Sequence, residues 1–125
     1  MDEPDKPPLI GIVGVCASGK STLLKSLTAS GYNCRHIAQE HSYVKDMWSR
    51  LVHPDILIFL EVSYEKTLER KPLTWTRDEY EIQFHRLRHA YENAHIHINT
   101  NELTPQELLD TAVQEIQRIT SRLCS

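Results

Sequence analysis

Apolar residues fall into short continuous runs that alternate with stripes at helical spacing along the chain. The runs over 9–14 and 56–62 are almost unbroken, which is typical of strands covered on both faces. Weaker strand patterns cover 32–38 and 94–98. Helical spacing predicts helices over 20–30, 43–51, a short segment from 64 to Pro72, 76–93, and from 105 onward. This alternation of strands and helices predicts an α/β fold with a parallel sheet.

Two local signals mark the beginnings of the last two helices. Thr76 is followed at the third position by Glu79, and Thr104 by Glu107, so both form the capping-box pattern. With right-handed crossovers, the simplest arrangement of four parallel strands has the order 2-1-3-4. The ligand is then expected across the carboxyl ends of the strands, beside the first one.

Composition narrows the class of protein. The chain has 125 residues and a net charge of −3, so one domain is expected over 9–125, after a disordered lead-in over 1–8. The charge makes a nucleic-acid partner unlikely, and no apolar run approaches the roughly 20 residues that span a membrane. The lead-in is acidic and proline-rich, unlike a signal peptide.

The cysteines indicate the expected location. The chain has three cysteines without close pairing, which is typical of reduced thiols, so the cytoplasm is expected.

The first strand is followed by a motif that predicts phosphate binding. Residues 14–21 read Gly-Val-Cys-Ala-Ser-Gly-Lys-Ser, a complete G-x-x-x-x-G-K-[ST] between a strand and a helix. In this setting backbone amides cradle phosphates, Lys20 reaches the β- and γ-phosphates, and the Ser21 hydroxyl binds Mg²⁺. The expected ligand is Mg-ATP, with GTP possible. The predicted nucleotide-binding residues of this glycine loop (residues 14–22) are Gly14, Cys16, Ala17, Ser18, Gly19, Lys20, Ser21 and Thr22.

Cysteine and histidine residues suggest two less specific hypotheses. Cys16 is interpreted either as a redox brake on nucleotide binding or, as we favour, as a small residue that the loop tolerates. The pairs His85/His89 and His95/His97 each lie on one side of a predicted element, but no cysteine or carboxylate completes a metal set at recognisable spacing. Packing or surface positions are therefore expected for these histidines.

Three segments together resemble the P-loop kinase group that includes nucleoside monophosphate kinases and dephospho-CoA kinase. They are the glycine loop, the strand and helix within 54–70, and the strand, turn and helix over 95–109. The resemblance implies a three-layer P-loop NTPase core with phosphotransferase activity. It also implies that Asn101, in the turn after the last strand, contacts the nucleotide base.

The resemblance further assigns Arg70 and the arginines after it to a lid that grips the transferring phosphates. Spacing supports part of this independently, because Arg77, Glu81 and Arg88 form one ridge of an ideal helix while Arg86 points elsewhere. Two guanidiniums on one ridge suit a phosphate clamp. The alternative is a solvated face with arginine–glutamate pairs, and Arg70 is the stronger candidate.

Two departures from the kinase pattern affect the functional hypothesis. Those kinases place an aspartate after the second strand, whereas this chain has Gln-Glu-His-Ser over 39–42. Glu40 is the favoured replacement, positioning Mg²⁺ or accepting the acceptor's proton, and Glu61 is its rival. In place of an acceptor-binding insert only 43–53 is present, which favours a small acceptor or none.

The sequence leaves several functions open. The leading hypothesis is a small-molecule kinase with Lys20, Glu40, Arg70, Arg77 and Arg88 as catalytic residues and Ser21 with Glu40 at the metal. The alternatives are a non-catalytic or regulatory nucleotide-binding module and a slow NTPase with water as the acceptor. Neither the acceptor nor the oligomeric state follows from the sequence.

Overall fold

The computed structural model of the protein describes residues 7–70 and 75–123, and its elements alternate between strand and helix. The strands are β1 (Leu9–Gly14), β2 (Asn33–His36), β3 (Ile56–Glu61) and β4 (Ile96–Asn99). The α-helices are α1 (Lys20–Ala29), α2 (Met47–Leu51), α3 (Tyr64–Arg70), α4 (Arg77–Arg86), α5 (Arg88–Asn93) and α6 (Pro105–Leu123), and Gln39–His41 forms a 3-10 turn. Most of the expected tail, residues 1–6, and the expected helix end at Pro72 lie outside the described residues.

The four strands form one parallel sheet in the order β2-β1-β3-β4, which confirms the predicted α/β class and strand order. β1 lies in the centre, with Ile10 beside both Cys34 of β2 and Ile56 of β3. β4 continues from β3, where Glu61 faces Asn99. All strands therefore end at the same edge of the sheet. The strand order changes direction at β1, because β2 lies on one side of β1 and β3 on the other.

Both faces of the sheet are covered, which explains the unbroken apolar run of β3. Ile56, Ile58 and Leu60 join a cluster with residues of α1 and α6 on one face. Leu57 and Phe59 belong to a second cluster, on the other face, which includes residues of α2, α4 and α5. Strands buried on both faces lose the polar alternation of half-exposed strands. The structure is thus a three-layer α/β sandwich.

Two predicted helices differ from the observed ones. The pattern over 43–51 becomes a helix only at Met47, because the preceding residues form a bend held by the Gln39 side chain, which donates to the Val44 carbonyl (2.8 Å) and accepts from the Trp48 amide (2.8 Å). The predicted helix over 76–93 is interrupted at Leu87. Its amide is shared between the carbonyls of Gln83 and Phe84, and its side chain is fully buried. The prediction of one continuous helix was wrong.

Helix ends with local signals were predicted well. Thr76 and Glu79 exchange side-chain and backbone bonds at the start of α4, and Thr104 and Glu107 do so before α6. Both capping boxes are confirmed, since each depends only on residues three positions apart. Among the helices within 7–70 and 75–123, none has the length and apolar character that crossing a membrane requires.

Candidate functional site

The glycine loop carries the chain from the end of β1 into α1 through two left-handed residues. Ala17 has a φ of 66° and Gly19 a φ of 107°, and Gly19 occupies the N-cap of α1. No side chain within the described residues caps this end of the helix. The first amides of a helix have no intrahelical partners, and this end carries partial positive charge. The start of α1 can therefore accept an anion.

A glycine is required at position 14 because Ser18 and the backbone of Leu60 lie very close to it. A Cβ atom at this position would lie 2.6 Å from Oγ of Ser18 and 2.8 Å from the carbonyl oxygen of Leu60. The second atom belongs to the backbone of β3, so it cannot rotate away. Any larger residue at position 14 would thus open the glycine loop away from the sheet.

Lys20 and Glu40 form a buried ion pair at the base of the loop. Nζ of Lys20 donates to Oε2 of Glu40 (2.6 Å) and to the Val15 carbonyl (3.3 Å), and it also contacts the Gly14 carbonyl. The side chains are only 7% and 4% exposed. Lys20 has three N–H donors, and these three contacts account for all of them. The lysine is thus held toward the floor of the site.

Two polar atoms of the site lack partners within the described part of the chain. They are Oε1 of Glu40 and Oγ of Ser18, and both are buried. An unsatisfied buried polar atom costs about 1–3 kcal/mol, more when charged. A carboxylate oxygen is an acceptor suited to a hard cation such as Mg²⁺, and a hydroxyl can donate to a phosphate oxygen. The residues present therefore fit a magnesium–phosphate group.

Arg70, the last residue of α3, contacts two strand-end segments. Its Nη1 donates to the Ala17 carbonyl (3.1 Å) and to Oγ1 of Thr100 (2.9 Å), and its second terminal nitrogen contacts the Thr100 carbonyl. Burial lowers the pKa of Arg70 from its usual value. Thr100 in turn donates to the Ser18 carbonyl (2.9 Å). Arg70 and Thr100 thus connect the end of α3 and the turn after β4 to the glycine loop.

A cavity of about 380 Å³ collects most of the residues that the sequence singled out. The predicted residues that line it are Cys16, Ala17, Ser18, Gly19, Lys20, Ser21, Thr22, Glu40 and Arg70. His36, at the end of β2, also lines it, and its pKa is lowered by burial and by the nearby Lys20 charge. These residues are brought together because β1, β2 and α3 all end at this edge of the sheet.

Two arginines expected in the phosphate clamp lie elsewhere. Arg77 contacts the Glu65 carboxylate, and its guanidinium lies 4.9 Å from the centre of the Tyr64 ring. Arg88 is exposed at the start of α5. Neither lines the cavity. The prediction that Arg77 and Arg88 lie on one ridge assumed a continuous helix. The helix is instead interrupted at Leu87, and Arg77 contacts α3.

The side of α4 that faces the site is the one opposite Arg77. The sequence did not predict that this side contacts the glycine loop and Glu40. Nη1 of Arg86 donates to the Glu40 carbonyl (3.2 Å). Gln83 accepts from the Cys16 amide (3.1 Å) and donates to the Cys16 sulfur (3.3 Å). Gln83 and Arg86 are three positions apart, so they share one helix face. That spacing was visible in the sequence, but nothing indicated which polar face of the helix meets the loop.

Asn101 lies beside a second, smaller cavity rather than in its wall. Its Oδ1 accepts from the Ser63 amide (2.9 Å), which joins the turns after β3 and β4. A cavity of about 240 Å³ is lined by Gly19, Thr22, Arg70, Thr100, Leu103, Thr104, Pro105 and Leu108. It shares Gly19, Thr22 and Arg70 with the larger cavity. Residues on both sides of Asn101, Thr100 and Leu103, thus line this cavity. Asn101 itself positions the turn after β4 through its bond to Ser63.

Three of the four paired histidines, His89, His95 and His97, make hydrogen bonds within the protein. Nδ1 of His95 accepts from the Leu57 amide (2.9 Å), and Nε2 of His97 lies 2.8 Å from the Tyr91 carbonyl. Trp48 donates to Nδ1 of His89 (3.1 Å).

The candidate site as a whole offers backbone amides, one buried lysine, one arginine and one buried carboxylate around a single cavity. Comparison with models of protein families finds no match to this chain, and neither does comparison with curated proteins.

Proposed function

We propose that the chain is a P-loop protein of the kinase type that binds Mg-ATP at the glycine loop and transfers its terminal phosphoryl group to a small acceptor. The observation that carries the proposal is the Lys20–Glu40 pair at the start of α1, with a second, unpartnered carboxylate oxygen on Glu40. Phosphoryl transfer depends mainly on positioning and on neutralising phosphate charge. The glycine loop motif, the free start of α1 and this pair supply those elements together.

Each residue has a role that follows from its contacts. The amides at the start of α1 bind phosphate oxygens, as helix N-termini do. Lys20 already uses its three donors inside the protein, so a phosphate has to replace at least one of these contacts. Ser21 and Glu40 line the same cavity and would hold magnesium. When bound, magnesium offsets the charge of the phosphates and of the buried carboxylate.

Our proposal for the remaining parts of the nucleotide rests on the two cavities, which share three lining residues. The phosphates occupy the larger cavity and the base occupies the smaller one, whose wall includes Leu103, Pro105 and Leu108. Arg70 lines both cavities, so we assign it to a phosphate between them. ATP and GTP both satisfy this arrangement, so the base preference has to be measured.

A non-catalytic nucleotide-binding module is the second candidate, and one observation favours it. Arg77 and Arg88 lie outside the cavity, which leaves Lys20 and Arg70 as the lysine and arginine residues that line it among those described. Kinase-type transfer usually engages several cations around the transferred group. A binding module needs fewer of them.

Calorimetry and turnover measurements test these functions. Titration with ADP and GDP, with and without Mg²⁺, measures binding. An ATP-turnover screen against small metabolites and nucleoside monophosphates then measures transfer, and water alone as acceptor reveals a slow NTPase. Binding without turnover identifies the module, whereas turnover that rises with one metabolite identifies the kinase. Absence of nucleotide binding in the folded protein would contradict both.

The blank for this screen needs care because Lys20 is paired. Removing the lysine alone leaves the Glu40 charge buried without its partner. We therefore propose the double variant Lys20→Met/Glu40→Gln, which removes both charges, as the blank. Loss of one preorganised donor to a developing charge typically lowers turnover by about 10²–10³-fold. Turnover at the parent rate in the folded double variant would place the reaction elsewhere.

A further inference from the structure

Three side chains that bind metals converge at the mouth of the glycine loop. Sγ of Cys16, a carboxylate oxygen of Glu40 and a ring nitrogen of His41 all lie within 4.8 Å of one another. Cys16 comes from the loop, whereas Glu40 and His41 belong to the 3-10 turn after β2. From this cluster we infer that the chain has a binding site for a zinc-class transition metal, which shares Glu40 with the proposed magnesium site and adds Cys16 and His41.

The state of Glu40 independently supports a cation at this position. Its residue is 3% exposed, and Oε1 has no hydrogen-bond partner within 7–70 and 75–123, while Oε2 is bonded to Lys20. A buried charged oxygen without a partner is costly. A metal ion bound to this carboxylate would offset that cost. Nε2 of His41 lies 3.7 Å from Oε2, so the imidazole is beside the same carboxylate.

The donor set selects the kind of metal. Sulfur, nitrogen and oxygen from three side chains suit Zn²⁺, whereas Mg²⁺ and Ca²⁺ prefer oxygen ligands alone. Tetrahedral zinc with bonds of about 2.0–2.3 Å brings its ligand atoms to about 3.3–3.8 Å of each other. The cluster therefore has to contract slightly. The His41 side chain is 59% exposed, which leaves it room to move inward.

Three protein ligands leave the fourth zinc position open for water or a phosphate oxygen. Cys16 binds as a thiolate, so its proton passes to the solvent when zinc binds. Zinc and Mg-nucleotide both use Glu40, and binding of one is expected to weaken the other by the same factor. The zinc site itself does not depend on the proposed nucleotide function. It rests on the three side chains alone.

Cobalt spectroscopy on the untagged 125-residue chain tests the site. Co²⁺ replaces zinc and gives a near-ultraviolet thiolate-to-metal absorption when a cysteine binds it. We expect this absorption in the parent, its displacement by Zn²⁺, and its loss in Cys16→Ser. His41→Gln should weaken zinc affinity by roughly 100-fold or more, because even an outer-shell partner contributes roughly 10–100-fold.

Matched variants separate this cluster from other thiols and imidazoles. Cys34 is half-buried on β2, and burial raises its pKa to about 11, so it stays a neutral thiol near pH 7. Cys34→Ser, Cys124→Ser and His85→Gln should therefore keep the absorption and the affinity. Thermal unfolding confirms that each variant is folded.

The outcomes distinguish this inference from the proposed function. Absence of the cobalt absorption in the parent, or its persistence in Cys16→Ser, would overturn the zinc site even if ADP binds. A cobalt absorption that depends on Cys16 and His41 supports the site even if ADP does not bind. If the protein binds both Zn²⁺ and Mg-ADP, Zn²⁺ should weaken the binding of Mg-ADP. An unchanged ADP affinity would contradict the inference that both ligands use Glu40.

Discussion

Two cation–carboxylate pairs, Lys20–Glu40 and Arg77–Glu65, differ in their burial and in the elements that they join. Lys20 and Glu40 are 7% and 4% exposed and meet at the floor of the main cavity. Arg77 and Glu65 are 58% and 64% exposed and join α4 to α3 at the surface. A buried pair is strongly coupled to its surroundings, whereas exposed pairs contribute little to stability. The comparison shows which charges the fold depends on, and the buried ones lie in the candidate site.

The largest effect is expected from breaking the buried pair on one side only. Lys20→Met leaves the Glu40 charge uncompensated and should lower the free energy of unfolding by about 3–5 kcal/mol. Lys20→Met/Glu40→Gln should recover most of this loss without recovering ADP binding. Urea unfolding measures the stabilities. Equal losses in the single and double variants would mean that the pair is not coupled as the structure indicates.

The next effect concerns the backbone that supports the pair. Gly14→Ala places a methyl group against Ser18 and the Leu60 carbonyl, and overpacking of this kind costs about 1–3 kcal/mol. It should also weaken ADP binding, because the loop has to open. Gly31→Ala is the control, since Gly31 has a φ of 98° and open space around its Cβ position. That change should lower stability by roughly 1–2 kcal/mol but leave ADP affinity intact.

A smaller effect, on nucleotide binding, should separate the two roles of Glu40, as the partner of Lys20 and as a proposed magnesium ligand. Glu40→Gln removes the negative charge 2.6 Å from Lys20, so metal-free ADP should bind about tenfold more tightly, or ~1.4 kcal/mol. The dependence of binding on Mg²⁺ should decline at the same time. Glu61→Gln is the matched control, and calorimetry with and without Mg²⁺ measures both variants. If Glu61→Gln alone reduced the magnesium dependence, the rival carboxylate would be the metal residue.

The smallest effect is expected at the exposed pair. Arg77→Ala should leave the unfolding midpoint and the ADP affinity unchanged within error, because both side chains are mostly in water. Arg86→Ala, on the other side of the same helix, should alter the site, since it removes the bond to the Glu40 carbonyl. A loss of turnover in Arg77→Ala equal to that in Arg86→Ala would contradict this expectation, because Arg77 would then have to contact the reacting phosphates during turnover.

Features carried by neighbouring residues were predictable from the sequence. The glycine loop motif lies between β1 and α1 as expected, and the Thr76 and Thr104 capping boxes begin α4 and α6. The strand order was also predicted correctly, because right-handed crossovers leave few arrangements for four parallel strands. In each case the governing interaction is short in sequence or is a general rule of chain handedness.

Features that join distant segments were not predictable in this way. The partnership of Lys20 with Glu40 spans 20 positions, and the contact of Gln83 with Cys16 spans 67. The helix is interrupted at Leu87, whose side chain is fully buried, and the helical spacing over 76–93 did not indicate this interruption. The cluster of Cys16, Glu40 and His41 was not found from spacing, because Cys16 lies far from Glu40 and His41 in the sequence and meets them only in the folded chain.

The sequence by itself determined the alternation of elements, the order of the sheet and the place of the glycine loop, because backbone geometry and burial periodicity act locally. Only the tertiary structure decided which charges are buried together and which face of α4 meets the loop. Burial is a property of the packed sheet and helices, and it converts an ordinary glutamate after β2 into the partner of Lys20.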